Sequence, residues 1–260
     1  MHLEGQQSVL SALHARRRKF KLILLKSGAH QDRFREILSE AEQQKIPVEF
    51  VPGEKLNQVA FGKTHGGVVA LCTRKRLDAL ANLDKILSQK PGWPLLLLLE
   101  GVEDVRHLGY VLRSAEALGT HAVLLKKHLW DFDETVLSRT SSGAFDRLPV
   151  IKLSEASELK KLARFDIKVW GCLANARRSL YEFDLNRPLA LAVGGEKRGL
   201  SGSVRAECDG FLRIPMAPGS ASSLSVTHAA CLLLGEAARQ RFFAALPDAN
   251  LTPEAGDSKS

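Results

Sequence analysis

The fold is decided by the stretch Ile214-Pro-Met-Ala-Pro-Gly-Ser-Ala-Ser-Ser-Leu-Ser-Val-Thr-His-Ala-Ala-Cys-Leu-Leu-Leu-Gly-Glu236, in which a strand end, a Gly/Ser/Pro loop and an apolar helix follow one another without a break. A loop of this kind leaves backbone polar groups available to a small ligand. The same arrangement occurs upstream in Leu189-Ala-Leu-Ala-Val-Gly-Gly-Glu-Lys-Arg-Gly-Leu200 and again over residues 95–119. Three such strand-to-loop junctions predict one composite site.

Strands and helices alternate around these junctions. Short apolar runs predict strands, and apolar residues spaced three or four apart predict helices. The predicted strands are residues 95–99, 121–125, 169–173, 189–193 and 211–214, and the predicted helices are 108–118, 155–165 and 226–243. Continuous apolar strands separated by helices are typical of a parallel sheet covered on both faces, so the sequence predicts an α/β fold with a mostly parallel sheet.

The amino-terminal third shows a smaller α/β pattern of its own. Helical spacing is seen over residues 2–15 and 32–45, and strands are predicted at 20–25, 48–51 and 67–72. This pattern predicts a compact domain over residues 1–75. Residues 76–93 are polar, with leucines at helical spacing, and predict a linker helix leading to a hinge. A second domain is expected over 94–243, followed by a disordered tail at 244–260.

Charge points to an anionic partner, because the formal net charge is +8 over 260 residues. The excess lies in residues 1–76, which hold 14 Lys and Arg against 7 Asp and Glu, so nucleic acid is expected to dock there. The runs Arg16-Arg17-Arg18-Lys19 and Arg74-Lys75-Arg76 are candidate phosphate contacts, with solvated surface as the alternative. Contacts of this kind supply affinity and not base choice.

Several other classes of protein are disfavoured. Four cysteines, at 72, 172, 208 and 231, lie far apart beside apolar runs, so reduced core thiols are expected and neither disulfides nor a metal site. The apolar run 95–99 is too short to cross a bilayer, and the amino terminus shows no signal peptide, so a cytoplasmic protein is expected. A Gly-x-Gly-x-x-Gly loop after a strand is absent, which argues against a Rossmann dinucleotide site.

Motifs at the three junctions resemble those of one enzyme family. The first, His107-Leu-Gly109-Tyr-Val-Leu-Arg113, resembles Asn-x-Gly-(x)3-Arg; the second, Gly194-Gly195-Glu196-Lys-Arg-Gly199, resembles Gly-x-Glu-x-x-Gly; the third, Ser223-Leu-Ser225-Val-Thr227, resembles Ser-Leu-Asn-Val-Ser. Together they are similar to the SpoU branch of the SPOUT RNA methyltransferases, the TrmH-like 2'-O-ribose methyltransferases. Residues 141–149 resemble a further strand and turn of the same domain.

The resemblance extends to the amino-terminal domain. The segment Lys63-Thr-His65-Gly-Gly-Val-Val-Ala70 resembles the closing His-Gln-Gly-Val strand of an L30e-like RNA-binding domain, with Gly66 where the family often has Gln. For the second domain the resemblance implies the SPOUT fold, whose carboxy-terminal trefoil knot holds S-adenosylmethionine. It also implies a homodimer through that domain, and the predicted helices 108–118 and 226–243 are apolar enough to be shared.

Individual residues acquire expected roles through the resemblance. Catalytic roles are expected for Arg113, Glu196, Ser223 and His107, with Arg113 gripping an RNA phosphate and helping to activate the hydroxyl. The cofactor is expected to contact Gly194, Gly195, Gly199, Ile214, Met216, Ser223 and Leu224. RNA contacts are expected from Arg16, Arg17, Arg18, Lys19, Arg113, Lys197 and Arg198. The alternatives are a surface arginine at 113, a turn carboxylate at 196 and a helix cap within 222–225.

Two positions depart from the family pattern, because His107 and Ser225 stand where the family has asparagines. An imidazole can donate or accept a hydrogen bond and titrates near neutrality, so His107 can replace the amide or act as a base. Ser225 is too short to do so without water. The expected activity is S-adenosylmethionine-dependent 2'-O-methylation of structured RNA, with ribosomal RNA favoured over transfer RNA. The alternatives are a transfer RNA enzyme and a catalytically silent RNA-binding relative acting in ribosome assembly.

Overall fold

The strands form two separate sheets in the computed structural model, which describes residues 1–28, 31–60, 65–126, 132–220 and 223–245. The strands are β1 His2–Glu4, β2 Phe20–Lys26, β3 Val48–Val51, β4 Val68–Cys72, β5 Leu95–Glu100, β6 Ala122–Lys126, β7 Val150–Leu153, β8 Lys168–Cys172, β9 Leu189–Gly194 and β10 Gly210–Leu212. The α-helices are α1 Gln6–Ala15, α2 Arg35–Gln43, α3 Gly53–Val59, α4 Leu83–Leu87, α5 Val105–Ala117, α6 Glu134–Thr140, α7 Ala144–Arg147, α8 Gly202–Ala206 and α9 Val226–Ala245. Short 3-10 segments cover Gln31–Phe34, Leu80–Asn82, Ala156–Phe165 and Leu180–Glu182.

The amino-terminal sheet has four strands in the order β1-β4-β2-β3. β4 runs antiparallel to β1 and β2, whereas β3 runs parallel to β2. A helix from residue 2 was predicted here, and its beginning is wrong. His2–Glu4 form β1 on β4, and α1 begins only at Gln6, after Gly5 turns the chain with φ +90°. A three-residue strand is too short to show a periodicity of its own.

The second sheet has six strands, all parallel, in the order β10-β8-β9-β5-β6-β7. The prediction of an α/β fold with a mostly parallel sheet is confirmed. Five of its strands begin and end within two residues of their predicted limits. The sixth, β7, follows Pro149 and was not predicted as a strand. The predicted helix at 155–165 is instead a 3-10 segment.

The two faces of this sheet are covered by different elements, as β5 shows. Leu95, Leu97 and Leu99 belong to one apolar cluster, which also contains the inner faces of α5 and α9. Leu96 and Leu98 belong to the opposite cluster, with residues of α4, of the 3-10 segment Ala156–Phe165 and of α8. Every residue of β5 is buried because both of its faces are covered, which explains the uninterrupted leucine run.

The predicted linker helix is shorter than expected, and the segment does not stand free as a hinge. Asp78 pairs with Ile151 of β7, and its N–H donates to Val150 O at 2.9 Å. Leu83 and Ile86 are buried with the leucines of β5, although α4 spans only Leu83–Leu87. The leucine spacing that suggested a helix therefore reflects packing onto the sheet.

A buried charge network joins the amino-terminal sheet to α6 and α7. Arg18 Nε donates to Asp146 Oδ1 at 2.6 Å, and its Nη1 donates to Glu134 Oε2 at 2.6 Å. The Arg18 side chain is fully buried, so the prediction that it contacts RNA is wrong. Asp146 lies on α7, within the stretch 141–149 where a strand and turn were expected.

Lys75, in the second basic run, is also directed inward. Its Nζ donates to Leu148 O at 2.8 Å and to Phe145 O, and its N–H donates to Glu134 Oε2 at 2.9 Å. Burial lowers the pKa of Lys75 to about 7.

Two predictions fall largely on residues that are not described. The predicted disordered tail, 244–260, overlaps the end of α9 at Ala245 and otherwise lies outside the described residues. Lys63 and Thr64 of the L30e-like motif also lie outside them.

Candidate active site

The first two junctions meet at the carboxyl ends of β5 and β9. Glu100, the last residue of β5, lies opposite Gly194, the last residue of β9, and Gly195 N–H donates to Glu100 O at 2.6 Å. Because the two strands are adjacent and parallel, the loops that follow them start side by side. β10 lies two strands away from β9, so the third junction starts farther along the same edge.

The glycines of the second junction allow backbones to cross. A Cβ built on Gly195 lies 2.0 Å from Gly101 O, and one built on Gly194 lies 2.0 Å from Gly199 C. Gly199 itself has φ +60° and donates its N–H to Gly195 O at 2.9 Å, which closes the loop. These contacts require glycine for the packing of the loops on each other.

Two predicted catalytic residues, 89 positions apart in sequence, come together at this edge. Nδ1 of His107 lies 2.9 Å from Oε1 of Glu196, and the two side chains are 40% and 38% exposed. Asp104 caps α5 by accepting the Arg106 N–H at 2.6 Å, and this bond holds the pKa of Asp104 below its usual value. The cap fixes the helix start and therefore the position of His107 in its first turn.

Glu100 was not predicted to be a site residue, although it anchors the site. Its buried carboxylate accepts hydrogen bonds from the N–H and Oγ of Ser201, both at 2.8 Å, and lies 4.0 Å from Lys126 Nζ. Ser201 in turn caps α8 through Val204 N–H. An acidic residue that ends a run of five leucines was the signal available in the sequence.

A cavity of about 280 Å³ opens beside this anchor. It is lined by Glu100, Gly101, Glu103, Gly195, Lys197, Arg198, Gly199 and Ser201. Lys197 Nζ pairs with Glu103, and Arg198 is exposed.

Arg113 is exposed on α5 and has no hydrogen-bond or ion-pair partner within the described part of the chain. It lies six residues beyond His107, which corresponds to about 9 Å along the helix axis. The intervening Gly109 serves packing, because a Cβ there would lie 1.9 Å from Thr140 Oγ1 of α6. Arg113 therefore lies about 9 Å farther along α5 than the His107 that contacts Glu196.

The third junction is only partly joined to the others. Ile214 is buried in the cluster beneath α9, whereas Met216, Ser223 and Leu224 are exposed. Among the described residues, none of the hydrogen bonds links Ser223 or Leu224 to the Gly194–Gly199 loop. Ser225 Oγ lies 2.8 Å from His228 Nδ1 and accepts the His228 N–H at 3.4 Å, which makes it the cap of α9.

The groups at this edge suit an adenosyl sulfonium compound. Residues 215–219 lie in an exposed loop, and Met216 and Leu224 supply exposed apolar surface for a nucleobase. The carboxylates of Glu100 and Glu103 line the cavity, and that of Glu196 lies on the adjoining loop, so acidic groups at the strand ends complement a positively charged sulfur. The residues present therefore fit S-adenosylmethionine.

The predicted RNA-binding residues of the amino-terminal domain differ in their surroundings. Arg16 and Lys19 are exposed, and Arg17 is half-buried in an ion pair with Asp78. The run at residues 16–19 therefore contains exposed cations, one half-buried arginine in an ion pair, and the fully buried Arg18.

Other chemistries find no support within the described ranges. Burial raises the pKa of the Cys72, Cys172 and Cys208 thiols to about 11, so these thiols are protonated at neutral pH. No cluster of potential metal ligands occurs in the described part of the chain. None of its described helices is long and apolar enough to span a membrane.

Two family models match the chain in separate ranges. Residues 94–235 match the SpoU rRNA Methylase family. Residues 2–78 match the RNA 2'-O ribose methyltransferase substrate binding family.

Individual proteins are similar over nearly the whole chain. The 23S rRNA (guanosine-2'-O-)-methyltransferase RlmB of Xylella fastidiosa (strain 9a5c) is 37% identical over 91% of this chain and 95% of its own length. The RlmB of Ralstonia nicotianae is 35% identical over 92% and 95%. Among solved structures, the SpoU methyltransferase AviRb from Streptomyces viridochromogenes in complex with AdoMet has a TM-score of 0.76 at 26% identity, covering 93% of this chain and 90% of AviRb.

Proposed function

The chain belongs to the SpoU family of RNA 2'-O-ribose methyltransferases, and we propose that it methylates the 2'-hydroxyl of a guanosine ribose in 23S rRNA. It is an S-adenosylmethionine-dependent enzyme that acts on ribosomal RNA. The choice of guanosine is carried over from RlmB relatives that align with more than nine-tenths of the chain.

The contact between His107 and Glu196 carries the catalytic part of the proposal. When bound, S-adenosylmethionine supplies an electrophilic methyl group. A ribose hydroxyl is a weak nucleophile until a base accepts its proton. If His107 donates Nδ1–H to Glu196, a lone pair remains on Nε2, which can accept that proton. The carboxylate of Glu196 then stabilises the imidazolium that forms.

With this assignment His107, which stands where the family has its first asparagine, has a catalytic function. Ser225, which stands in place of the second asparagine, has a structural role. His107 supplies an acceptor where the family has an amide, and its partner is already in place. Ser225 is engaged at the start of α9, so its hydroxyl serves the helix. Ser223, which is exposed, remains the proposed polar contact of the third junction.

The remaining site residues are proposed to bind cofactor and RNA. The loop formed by Gly194, Gly195 and Gly199 borders the cofactor on one side, and Ile214, Met216 and Leu224 border it on the other. Arg113, Lys197 and Arg198 are exposed cations that can hold RNA phosphates near the reacting ribose. The carboxy-terminal knot, the division at residues 75 and 94, and a cytoplasmic site of action are parts of the same proposal.

A homodimer is proposed because large apolar side chains are exposed on α9 and α5. Leu232, Phe242 and Phe243 are exposed on α9, on one side of the helix, and Tyr110 is exposed on the neighbouring α5. Apolar surface grouped in this way usually marks an interface. Because Arg113 stands about 9 Å along α5 from His107, a second α5 brought in by the partner completes the catalytic set.

Methyl transfer to defined RNAs tests the proposed function. Purified protein is incubated with labelled S-adenosylmethionine and unmodified 23S rRNA transcript, and the modified nucleotide is mapped by resistance to alkaline cleavage. Label at the 2'-oxygen of a guanosine supports the proposal. Transfer confined to transfer RNA contradicts the substrate, and tight binding of cofactor and RNA without transfer contradicts the catalytic role of His107 and Glu196.

A further inference from the structure

Glu100 is bonded to both ends of the loop that carries Glu196. At the start of this loop, the N–H of Gly195 donates to the backbone oxygen of Glu100 at 2.6 Å. At its end, Ser201 donates its N–H to Oε2 and its hydroxyl to Oε1 of Glu100, both at 2.8 Å. The Glu196 loop, residues 195–201, is therefore attached at both ends to one residue of the neighbouring strand β5.

Glu100 also precedes the segment that leads to His107. It is the last residue of β5, and α5, which carries His107 in its first turn, begins at Val105. Glu196 comes from the loop after β9. The 2.9 Å contact between His107 and Glu196 therefore joins two segments that are both anchored at Glu100, one by the chain itself and the other by hydrogen bonds.

The Glu100 contact is buried, whereas two other contacts between these segments are exposed. The side chains of the Lys197–Glu103 pair are 75% and 49% exposed, and His107 and Glu196 are also partly in solvent. Exposed ion pairs contribute little and are screened by salt. A hydrogen-bonded carboxylate out of water is not subject to that competition. The buried contact is therefore the one able to hold the exposed contacts in place.

A carboxylate at the end of β5 is not explained by packing. Burying it is unfavourable unless hydrogen bonds and a countercharge replace its water. Ser201 bonds both oxygens, and Lys126 Nζ lies 4.0 Å from Oε1. A sixth leucine would extend the run 95–99 without this cost, but it would leave the N–H and hydroxyl of Ser201 without their acceptor. The residue type at this position therefore favours a fixed loop over apolar packing.

The Glu196 loop is short and bonded within itself. Gly199 donates its N–H to Gly195 O at 2.9 Å, and the two glycines form an isolated antiparallel bridge. Glu196 lies between them, and Ser201 follows two residues after Gly199. A displacement of Ser201 is therefore passed to Glu196 and is not absorbed by slack in the chain.

We propose that Glu100 is a positioning residue for methyl transfer, whose carboxylate holds the Glu196 loop so that Glu196 meets His107. In this role Glu100 exchanges no proton with the substrate and acts through Ser201 and Glu196. The inference rests on the proposed function for the reaction that the contact serves. The attachment of the loop does not depend on that reaction and can be measured without it.

Glu100→Met tests the proposal, because it keeps the length of the side chain and removes both acceptors. Replacing a buried carboxylate by an apolar group of similar size is compatible with folding. In the full-length protein, kcat for unmodified 23S rRNA transcript should fall about 10- to 100-fold at saturating RNA and cofactor, with KM for RNA unchanged within about twofold. In a Glu196→Gln background the same substitution should cause little further loss, because its effect passes through Glu196. A parental kcat, or losses that multiply in the double variant, would overturn the proposal.

Glu100→Gln separates position from charge. The amide oxygen can accept the Ser201 N–H and the amide nitrogen can donate to the Ser201 hydroxyl, so the loop stays attached without a charge. This variant should recover most of the kcat that Glu100→Met loses. If it is as slow as Glu100→Met, the charge of Glu100 and not its hold on the loop is what matters, and the proposal is wrong.

Glu4→Met is the matched control, since Glu4 is also a buried glutamate at the last position of a strand, β1. It removes a buried carboxylate from the amino-terminal sheet and should leave kcat at saturating RNA unchanged. An equal fall in kcat at both positions would attribute the effect to a general loss of stability and would count against a positioning role.

Amide hydrogen exchange of the free protein measures the attachment without RNA. The amides of Gly199 and Ser201 should exchange about tenfold faster in Glu100→Met than in the parent, and at the parental rate in Glu4→Met. Parental exchange in Glu100→Met would overturn the proposal whatever the kinetics show. If the parent methylates no ribosomal RNA but these amides still exchange faster in Glu100→Met, the proposed function fails and Glu100 remains the residue that positions the loop.

Discussion

Lys75 is buried, although both of its neighbours in the sequence are exposed. Arg74 and Arg76 are exposed, but Lys75 is enclosed and donates to the carbonyl of Leu148. Its Nζ also lies 4.6 Å from the centre of the Phe145 ring. Desolvation by burial lowers its pKa to about 7, from 10.5 for a free lysine.

The lowered pKa predicts a rise in stability with pH. Between about pH 7 and 10.5 the unfolded chain keeps a proton on Lys75 that the folded chain releases, so this group favours folding increasingly over that range. Below pH 7 both states are protonated and the contribution is constant. Lys75→Met should lack the rise, so the difference in unfolding free energy between parent and variant should grow by roughly 1–3 kcal/mol from pH 7 to 9.5. Urea unfolding at several pH values measures it, and parallel curves would contradict the prediction.

His107 and Glu196 give a second prediction at the residue scale. His107→Ala should lower the single-turnover rate of methyl transfer by roughly 10²- to 10⁴-fold, because the general base is lost. His107→Asn should lose rate as well, because an amide does not accept the ribose hydroxyl proton at neutral pH. The parent should lose rate in acid as the ring is protonated. Glu196→Gln should reduce the rate and leave cofactor affinity, measured by calorimetry, unchanged. Full activity of the alanine variant at every pH would remove His107 from the mechanism.

At the scale of elements, Gly109 decides how closely α5 approaches α6. Gly109→Ala places a Cβ 1.9 Å from Thr140 Oγ1 and 2.7 Å from its Cβ. Overpacking of this kind costs about 1–3 kcal/mol, which thermal or urea unfolding can measure. Thr140→Gly in the same chain removes both clashing atoms and should recover part of the loss.

Gly202→Ala is the matched control for this substitution. It lies in α8 with nothing within 4 Å of its built Cβ, so stability should change little or increase. Equal losses at both glycines would mean that the α5–α6 contact is not the cause.

The apolar strands and the helices of the second domain could be predicted because burial on both faces leaves a plain apolar run. Other elements left no comparable signal. β1 is only three residues long, and the 3-10 segment Ala156–Phe165 has the apolar spacing of an α-helix. In the site, the His107–Glu196 contact followed from motifs that had been identified separately. Arg18 could not be told from its neighbours, because its burial depends on Asp146, which lies 128 positions away.

At the scale of the whole molecule, the exposed apolar side of α9 predicts a dimer. Sedimentation of the parent at micromolar concentration should give about twice the chain mass of 28.5 kDa. Leu232→Glu with Phe242→Glu should give a monomer of reduced activity, because burying two carboxylates without partners is unfavourable. Phe50→Glu replaces an apolar side chain of similar exposure on β3 and should leave the mass unchanged. A parent that sediments near 28.5 kDa would contradict the dimer.

The tie between Arg18 and Asp146 also bears on how the chain matures during translation. Asp146 is synthesised 128 residues after Arg18, which at about 5–20 residues per second is a delay of roughly 6–26 seconds. For most of this interval the amino-terminal sheet can form while neither carboxylate partner of Arg18 exists, because Glu134 follows Arg18 by 116 residues and Asp146 by 128. The buried contact of Arg18 with α6 and α7 is therefore complete only after α7 has emerged. A nascent chain therefore lacks this buried link between its two domains until more than one-third of residues 94–243 has been made.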